Sequence, residues 1–145
     1  MPTVFGNSES LWIEVYICNK KCVIGVIYRH PNNDIHSFTL NLSETLHYLS
    51  NAKLPFLICG DIKINELQQD TLLSVGNYVK TYNSYNCLEL ITKPTRIATA
   101  SGTLTDHIYT NLPTGKLIPG ILVNDLSDHL PVFSQSNKKF LKQGI

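Results

Sequence analysis

Strong charge of either sign is missing from this sequence. Only 16% of its 145 residues are Asp, Glu, Lys or Arg, and the formal net charge is +1. A protein that neutralises many phosphates carries a marked basic excess, so any contact with nucleic acid has to be local. The one basic run, Lys138, Lys139 and Lys142, is what a solvated tail contains anyway. Also missing is an apolar run near the roughly 20 residues that cross a bilayer. Met1 to Ser10 lack the basic-then-apolar order of a signal peptide, so no secretory leader is expected. A second cysteine pair is absent too: Cys18 and Cys22 flank a short turn, Cys59 sits in an apolar run and Cys87 stands alone. One such pair without a nearby His is weak evidence for zinc, and free thiols in a reducing compartment are expected. No repeat, low-complexity tract or linker divides the chain, which implies one domain.

What is present is a composition able to fold: 43% of residues are apolar, and the length suffices to bury a core. Leu11 to Ile17 and Cys22 to Tyr28 are β-rich runs around Cys18-Asn19-Lys20-Lys21 and predict a hairpin. Val23 to Ile27 is almost continuously apolar, which predicts a strand covered on both faces. After a loop from Arg29 to Asp34, Ile35, Phe38, Leu42, Leu46 and Leu49 recur at helical spacing, with Asp34 as N-cap. Pro55 to Cys59 then predicts a buried strand ending at Gly60-Asp61, so strand, helix and strand form a crossover. Glu66 to Tyr82 is expected to be helical in part, interrupted at Gly76. Further strands are expected at Leu88 to Ile91, Leu104 to Thr110, Ile118 to Val123 and Leu130 to Phe133.

Acidic and histidine residues collect at the ends of these strands: Asp61, Asp106, and the Asp128-His129 pair. A rigid sheet fixes the groups at its strand ends, and three carboxylates with a histidine suit a divalent cation and an activated water. Each Asp alone is more often a turn residue satisfying backbone N–H groups. His107 follows Asp106 on a strand and should face the other way, in a packing or surface role. His30, His36 and His47 read as solvated. Tyr82 and Tyr85 could stack on bases, but a partly buried surface is the plainer reading.

Four segments, in order, resemble the endonuclease/exonuclease/phosphatase superfamily. They are Gly25-Val26-Ile27-Tyr28-Arg29, Leu57-Ile58-Cys59-Gly60-Asp61-Ile62-Lys63-Ile64-Asn65, Ser101 to Thr110 around Asp106-His107-Ile108, and Ser127-Asp128-His129-Leu130-Pro131-Val132. Their wording is most similar to the endonuclease domains of LINE-type (non-LTR) retrotransposons. The resemblance implies an α/β fold, a four-layer αββα sandwich of two sheets that is incomplete at its N-terminus. Residues 1–10 would be an extension, 11–136 the partial domain and 137–145 a basic tail.

The same resemblance implies a Mg2+- or Mn2+-dependent cut of DNA. Asp61 would orient or deprotonate the attacking water. His129 would contact the scissile phosphate, with Asp106 fixing its tautomer. Asp128 would support the metal, and Tyr28 would donate its hydroxyl to a phosphate oxygen. The implied partners are DNA and a reverse transcriptase domain of the same polyprotein, primed by the nick, and the implied location is intracellular or nuclear.

Two features depart from the family pattern. Its first strand, with an active-site Asn, and its later metal-binding Glu have no counterpart before Leu11. The missing strands should leave apolar surface exposed. The family's Asp-x-Asn also reads Asp61-Ile62-Lys63 here. An ammonium beside Asp61 competes with a cation and makes the carboxylate a poorer proton acceptor, although Lys63 could still meet a phosphate. Asn65 could stand in for the lost Asn only if the strand end were rearranged. The competing readings are a catalytically dead remnant that binds nucleic acid or protein, and, last, a small-molecule phosphatase.

Overall fold

The computed structural model describes residues 8–17, 19–113 and 115–136. Cys18, most of the expected extension and the basic tail with Lys138, Lys139 and Lys142 lie outside the described residues.

Two long strands, β1 (Glu9–Ile17) and β2 (Lys20–Tyr28), pair antiparallel from Glu9↔Tyr28 to Ile17↔Lys20. The strands run closer to the turn than the sequence suggests, and Asn19 takes a left-handed φ of 61°, a conformation that Asn tolerates well. Helix α1 (Ile35–Asn51) begins at Asp34, whose carboxylate accepts hydrogen bonds from the Ser37 N–H and hydroxyl at 2.8 and 2.9 Å. Its apolar face, Phe38, Leu42, Leu46 and Leu49, is at most 1% exposed. The helix returns the chain to β3 (Phe56–Asp61), which lies parallel to β2, as a crossover requires.

A single 3-10 turn (Glu66–Gln68) leads to α2 (Leu73–Ser84). Gly76 does not interrupt this helix. A Cβ there would approach the Gln69 carbonyl to 2.8 Å, so glycine lets the preceding turn fold onto the helix. After α2 come β4 (Leu88–Glu89), a hairpin of β5 (Arg96–Ala98) and β6 (Ser101–Thr103), β7 (Asp106–Thr110), and a hairpin of β8 (Leu117–Ile121) and β9 (Val132–Ser136). The expected strand Leu104 to Thr110 is therefore shorter at its start, and the last strand begins two residues later than expected.

Strands β1-β2-β3-β7-β4 form one five-stranded sheet. Residues paired across strands share a face. Val23, Ile27, Phe56, Ile58 and Tyr109 face the helices and are at most 1% exposed. The opposite face carries Leu11, Ile13, Ile24, Val26, Leu57, Cys59 and Ile108. Over β3 and β7 it is covered by Ile121 and Val132 of the β8–β9 hairpin. Over β1 and β2 it is open: Leu11 is 65% exposed, Ile13 46% and Val26 45%. The expectation that β2 is covered on both faces thus fails on this side. The layers seen are helices, the main sheet and two hairpins; a second helical layer is absent among the described residues. No described helix is long and apolar enough to cross a membrane. Cys22, Cys59 and Cys87 are free thiols.

Candidate active site at the strand ends

The ends of β2 and β3 and the start of β7 meet at one edge of the open face. Asp61 closes β3 and pairs across with Asp106, the first residue of β7. Tyr28 closes β2; it follows Val26, the partner of Cys59, by two residues and so leaves the sheet on the side of Asp61. β2 and β3 converge closely here. A Cβ on Gly60, whose φ is 148°, would meet the Ile27 carbonyl oxygen at 1.8 Å, which restricts that position to glycine.

His129 arrives from a distant segment. Its Nδ1 lies 3.1 Å from Asp106 Oδ2, with side-chain exposures of 29% and 15%. Asp106 is fixed in turn by Thr95, whose hydroxyl donates to the same oxygen at 2.7 Å while its Oγ1 accepts from the Asp106 N–H at 3.2 Å. Thr95 is fully buried. The segment running from Thr95 into β5 also holds the histidine loop: the Leu130 N–H donates to the Thr95 carbonyl at 2.7 Å, and the Ile97 N–H to the Asp128 carbonyl at 2.9 Å. The Nδ1–H of His129 facing a carboxylate leaves Nε2 available for a substrate oxygen.

Asp61, Asp106 and His129 each present one ligand atom, and these atoms lie within 4.8 Å of one another. This oxygen-rich donor set can hold a metal ion. Asp61 Oδ1 is buried without a hydrogen-bond partner, as a ligand atom in waiting would be. Its sister Oδ2 is engaged by Lys63 Nζ at 2.7 Å, with both side chains about three-quarters buried. Lys63 reaches it from beyond the strand end, at a left-handed φ of 56°, rather than by strand alternation.

The other sequence-derived candidates fall elsewhere. Asp128 is outside the three-residue group; its carboxylate pairs with Arg96 Nε at 2.9 Å, and that hydrogen bond holds its carboxyl below the usual range. Asn65 caps the 3-10 turn, its Oδ1 accepting from the Leu67 N–H at 3.3 Å and the Leu104 N–H at 3.0 Å. The Tyr28 ring lies edge-on to His30, with centroids 4.9 Å apart. His107 faces the helices, as strand alternation requires, and is 2% exposed. Tyr82 is core rather than surface: it is 1% exposed and stacks on Tyr109 at 3.6 Å.

Sequence reading missed two supporting residues. Thr95 stands in a stretch with no strand signal, just after Pro94. Arg29 is 2% exposed, and its guanidinium donates to the carbonyls of Ile62 (2.7 Å), Lys63 (3.0 Å), His30 (3.2 Å) and Asn33. A cleft of about 520 Å3 between Leu90, Pro94, Pro119 and Leu130 includes none of Asp61, Asp106 and His129.

No protein-family model and no curated protein matches the sequence. Solved structures do match the fold. The endonuclease domain of TRAS1, a telomere-specific non-LTR retrotransposon, superposes with a TM-score of 0.68 at 10% identity, over 88% of this chain and 63% of that one. The chain has the fold of the endonuclease/exonuclease/phosphatase proteins. Among others with this fold, a mannosyl-6-phosphatase of Bacteroides thetaiotaomicron gives a TM-score of 0.58 at 15% identity, over 87% of this chain and 55% of that one. The human Nocturnin catalytic domain, with bound sulfate, gives 0.57 at 17%, over 88% and 51%. The chain thus spans between half and two thirds of the length of these structures.

Proposed function

We propose that this chain carries the histidine-bearing part of a metal-dependent DNA endonuclease domain of the non-LTR retrotransposon type, weak or inactive by itself. The observation that carries the reading is the Asp106–His129 pair placed beside Asp61 at one strand end. In that role Thr95 and Asp106 orient the imidazole, and His129 Nε2 contacts a phosphate oxygen and stabilises its developing charge. Asp61 positions the attacking water and accepts its proton, and the Tyr28 hydroxyl donates to a second phosphate oxygen. A divalent ion held by Asp61 with Asp106 would supply further stabilisation of charge on the phosphate; Mg2+ or Mn2+ suits oxygen donors. The name of the TRAS1 domain supports DNA as the substrate, while the phosphatase with the same fold leaves small phosphate esters as the less favoured class.

The open apolar face of β1 and β2 supports incompleteness: Leu11, Ile13 and Val26 form a surface that a further layer would bury. A second reading, a catalytically dead remnant that binds nucleic acid or protein, is favoured by the Lys63–Asp61 ion pair. Nicking of a supercoiled plasmid with Mg2+ or Mn2+ separates the two. The endonuclease reading expects little or no nicking by the chain itself, nicking after Lys63→Asn, and its loss on adding His129→Ala. Absence of nicking in Lys63→Asn, in a protein shown to be folded, rejects it for this chain.

A further inference from the structure

Lys63 is the discordant residue of the site, and its surroundings show how it is held. Its neighbours Ile62 and Ile64 are each 1% exposed, so the backbone on both sides is anchored in the core. Three successive carbonyls, of Asp61, Ile62 and Lys63, accept from Arg29, through the backbone N–H at 3.1 Å, Nε at 2.7 Å and Nη2 at 3.0 Å. The Ile62 N–H is bonded to the Thr105 carbonyl at 2.9 Å. This clamp fixes the left-handed φ of 56° at Lys63, a conformation that Asn and Gly adopt far more readily than a long side chain. With its backbone locked, Lys63 sends its ammonium to Asp61 Oδ2 at 2.7 Å, 6.0 Å from the Tyr28 ring centroid.

We propose that Lys63 is a tethered internal cation, held by the Arg29 clamp, that takes the divalent-ion position on Asp61 and keeps the site metal-free. The inference rests on the reading of Asp61, Asp106 and His129 as a phosphodiesterase site. It deepens that reading by assigning the site's cation to the chain itself. An ammonium supplies one positive charge where a divalent ion supplies two, and a tether gives it a high effective concentration at the carboxylate. A free ion that binds Asp61 Oδ1 then meets a fixed like charge at the sister oxygen, and Lys63 has to leave before the ion can bind well.

The test is Mn2+ binding, followed by loss of the free-ion electron paramagnetic resonance signal, with no nucleic acid present. Lys63→Asn and Lys63→Gly both suit the positive φ and remove the charge, so one serves if the other folds poorly, as judged by circular dichroism. The expected result is Mn2+ binding roughly tenfold or more tighter than in the unsubstituted chain, abolished when Asp61→Asn is added. Equal affinity with and without Lys63, whether tight or weak, overturns the proposal, as does a gain that survives Asp61→Asn. Tighter Mn2+ binding without plasmid nicking upholds the internal cation and counts against the endonuclease reading; nicking with unchanged Mn2+ affinity does the reverse.

Discussion

Asp106 and His107 are neighbours on β7, yet they enter two opposite worlds. On the open face, His129 and Asp106 stand 3.1 Å apart, partly exposed. On the helix face, His107 and Glu66 stand 3.2 Å apart and are 2% and 1% exposed. Both ring nitrogens of the buried histidine are taken by protein partners: His107 Nε2 donates to the carbonyls of Ile64 (3.0 Å) and Leu104 (3.1 Å), and Nδ1 accepts from the Tyr78 hydroxyl at 2.8 Å. Glu66 Oε1 accepts from the Tyr109 hydroxyl at 2.7 Å. Burial pushes His107 down to about 4 and, with Glu89 close by, drives Glu66 well above the usual carboxylate range, so this pair is uncharged. A histidine and a carboxyl group therefore have a structural role on one face. On the other, where one imidazole nitrogen is left over, they are placed for chemistry.

The largest effect that tests this contrast comes from truncation. His107→Ala should cost about 2–4 kcal/mol, because it leaves a cavity and strands the Tyr78 hydroxyl and the Ile64 and Leu104 carbonyls. His129→Ala should cost less than about 1 kcal/mol, since water can replace its one hydrogen bond. Urea denaturation of both variants measures the difference; equal losses would erase the distinction between the two faces. A second measurement uses pH. His107 takes a proton at about 4 in the native state against an ordinary value of 6.5. The unfolded chain therefore binds that proton first, and the stability His107 contributes is present above 6.5 and lost as pH falls towards 4. Glu66 slopes the other way, since native Glu66 keeps a proton that the unfolded chain releases as pH rises above 4.5. Comparing the protein with His107→Gln at each pH isolates the histidine. Its stability advantage should shrink by up to roughly 3 kcal/mol between pH 6.5 and 4, and a constant difference would show that His107 is not held neutral. An effect between those of His107→Ala and His129→Ala is expected from Thr95→Val, which keeps shape but removes the hydroxyl bonded to Asp106. A loss of about 1–2 kcal/mol by the same denaturation assay is expected, and no loss would mean that Asp106 is oriented by the backbone alone.

Much of this arrangement was legible in the residues because it is written locally. The β1–β2 hairpin, the Asp34-capped helix and the apolar strand ending at Asp61 each carry their own periodicity or cap. His107 could be assigned to the face opposite Asp106 by alternation alone. What escaped depends on partners far along the chain. The β5–β6 hairpin has three-residue strands, too short for alternation to register, and Thr95 matters only through Asp106 and Leu130. Gly76 reads as a helix breaker until the Gln69 carbonyl is seen packed against it. Tyr82 reads as surface until Tyr109 is found stacked on its ring. Arg29 looks like a loop cation, whereas its four carbonyl partners make it a buried brace.

The hold of the Thr95 segment on the histidine loop also bears on the order in which the molecule can be assembled. His129 is held in place by bonds from Leu130 to Thr95 and from Ile97 to Asp128. Asp106 is separately paired with Asp61, 45 residues earlier in the chain. The links that bring the three segments of the site together thus close long loops, and such contacts form late and slowly compared with a local hairpin or helix. A folding chain can complete β1, β2 and α1 while Asp61, Asp106 and His129 are still apart. The chemistry of this edge therefore waits on the long-range contacts of the folded molecule.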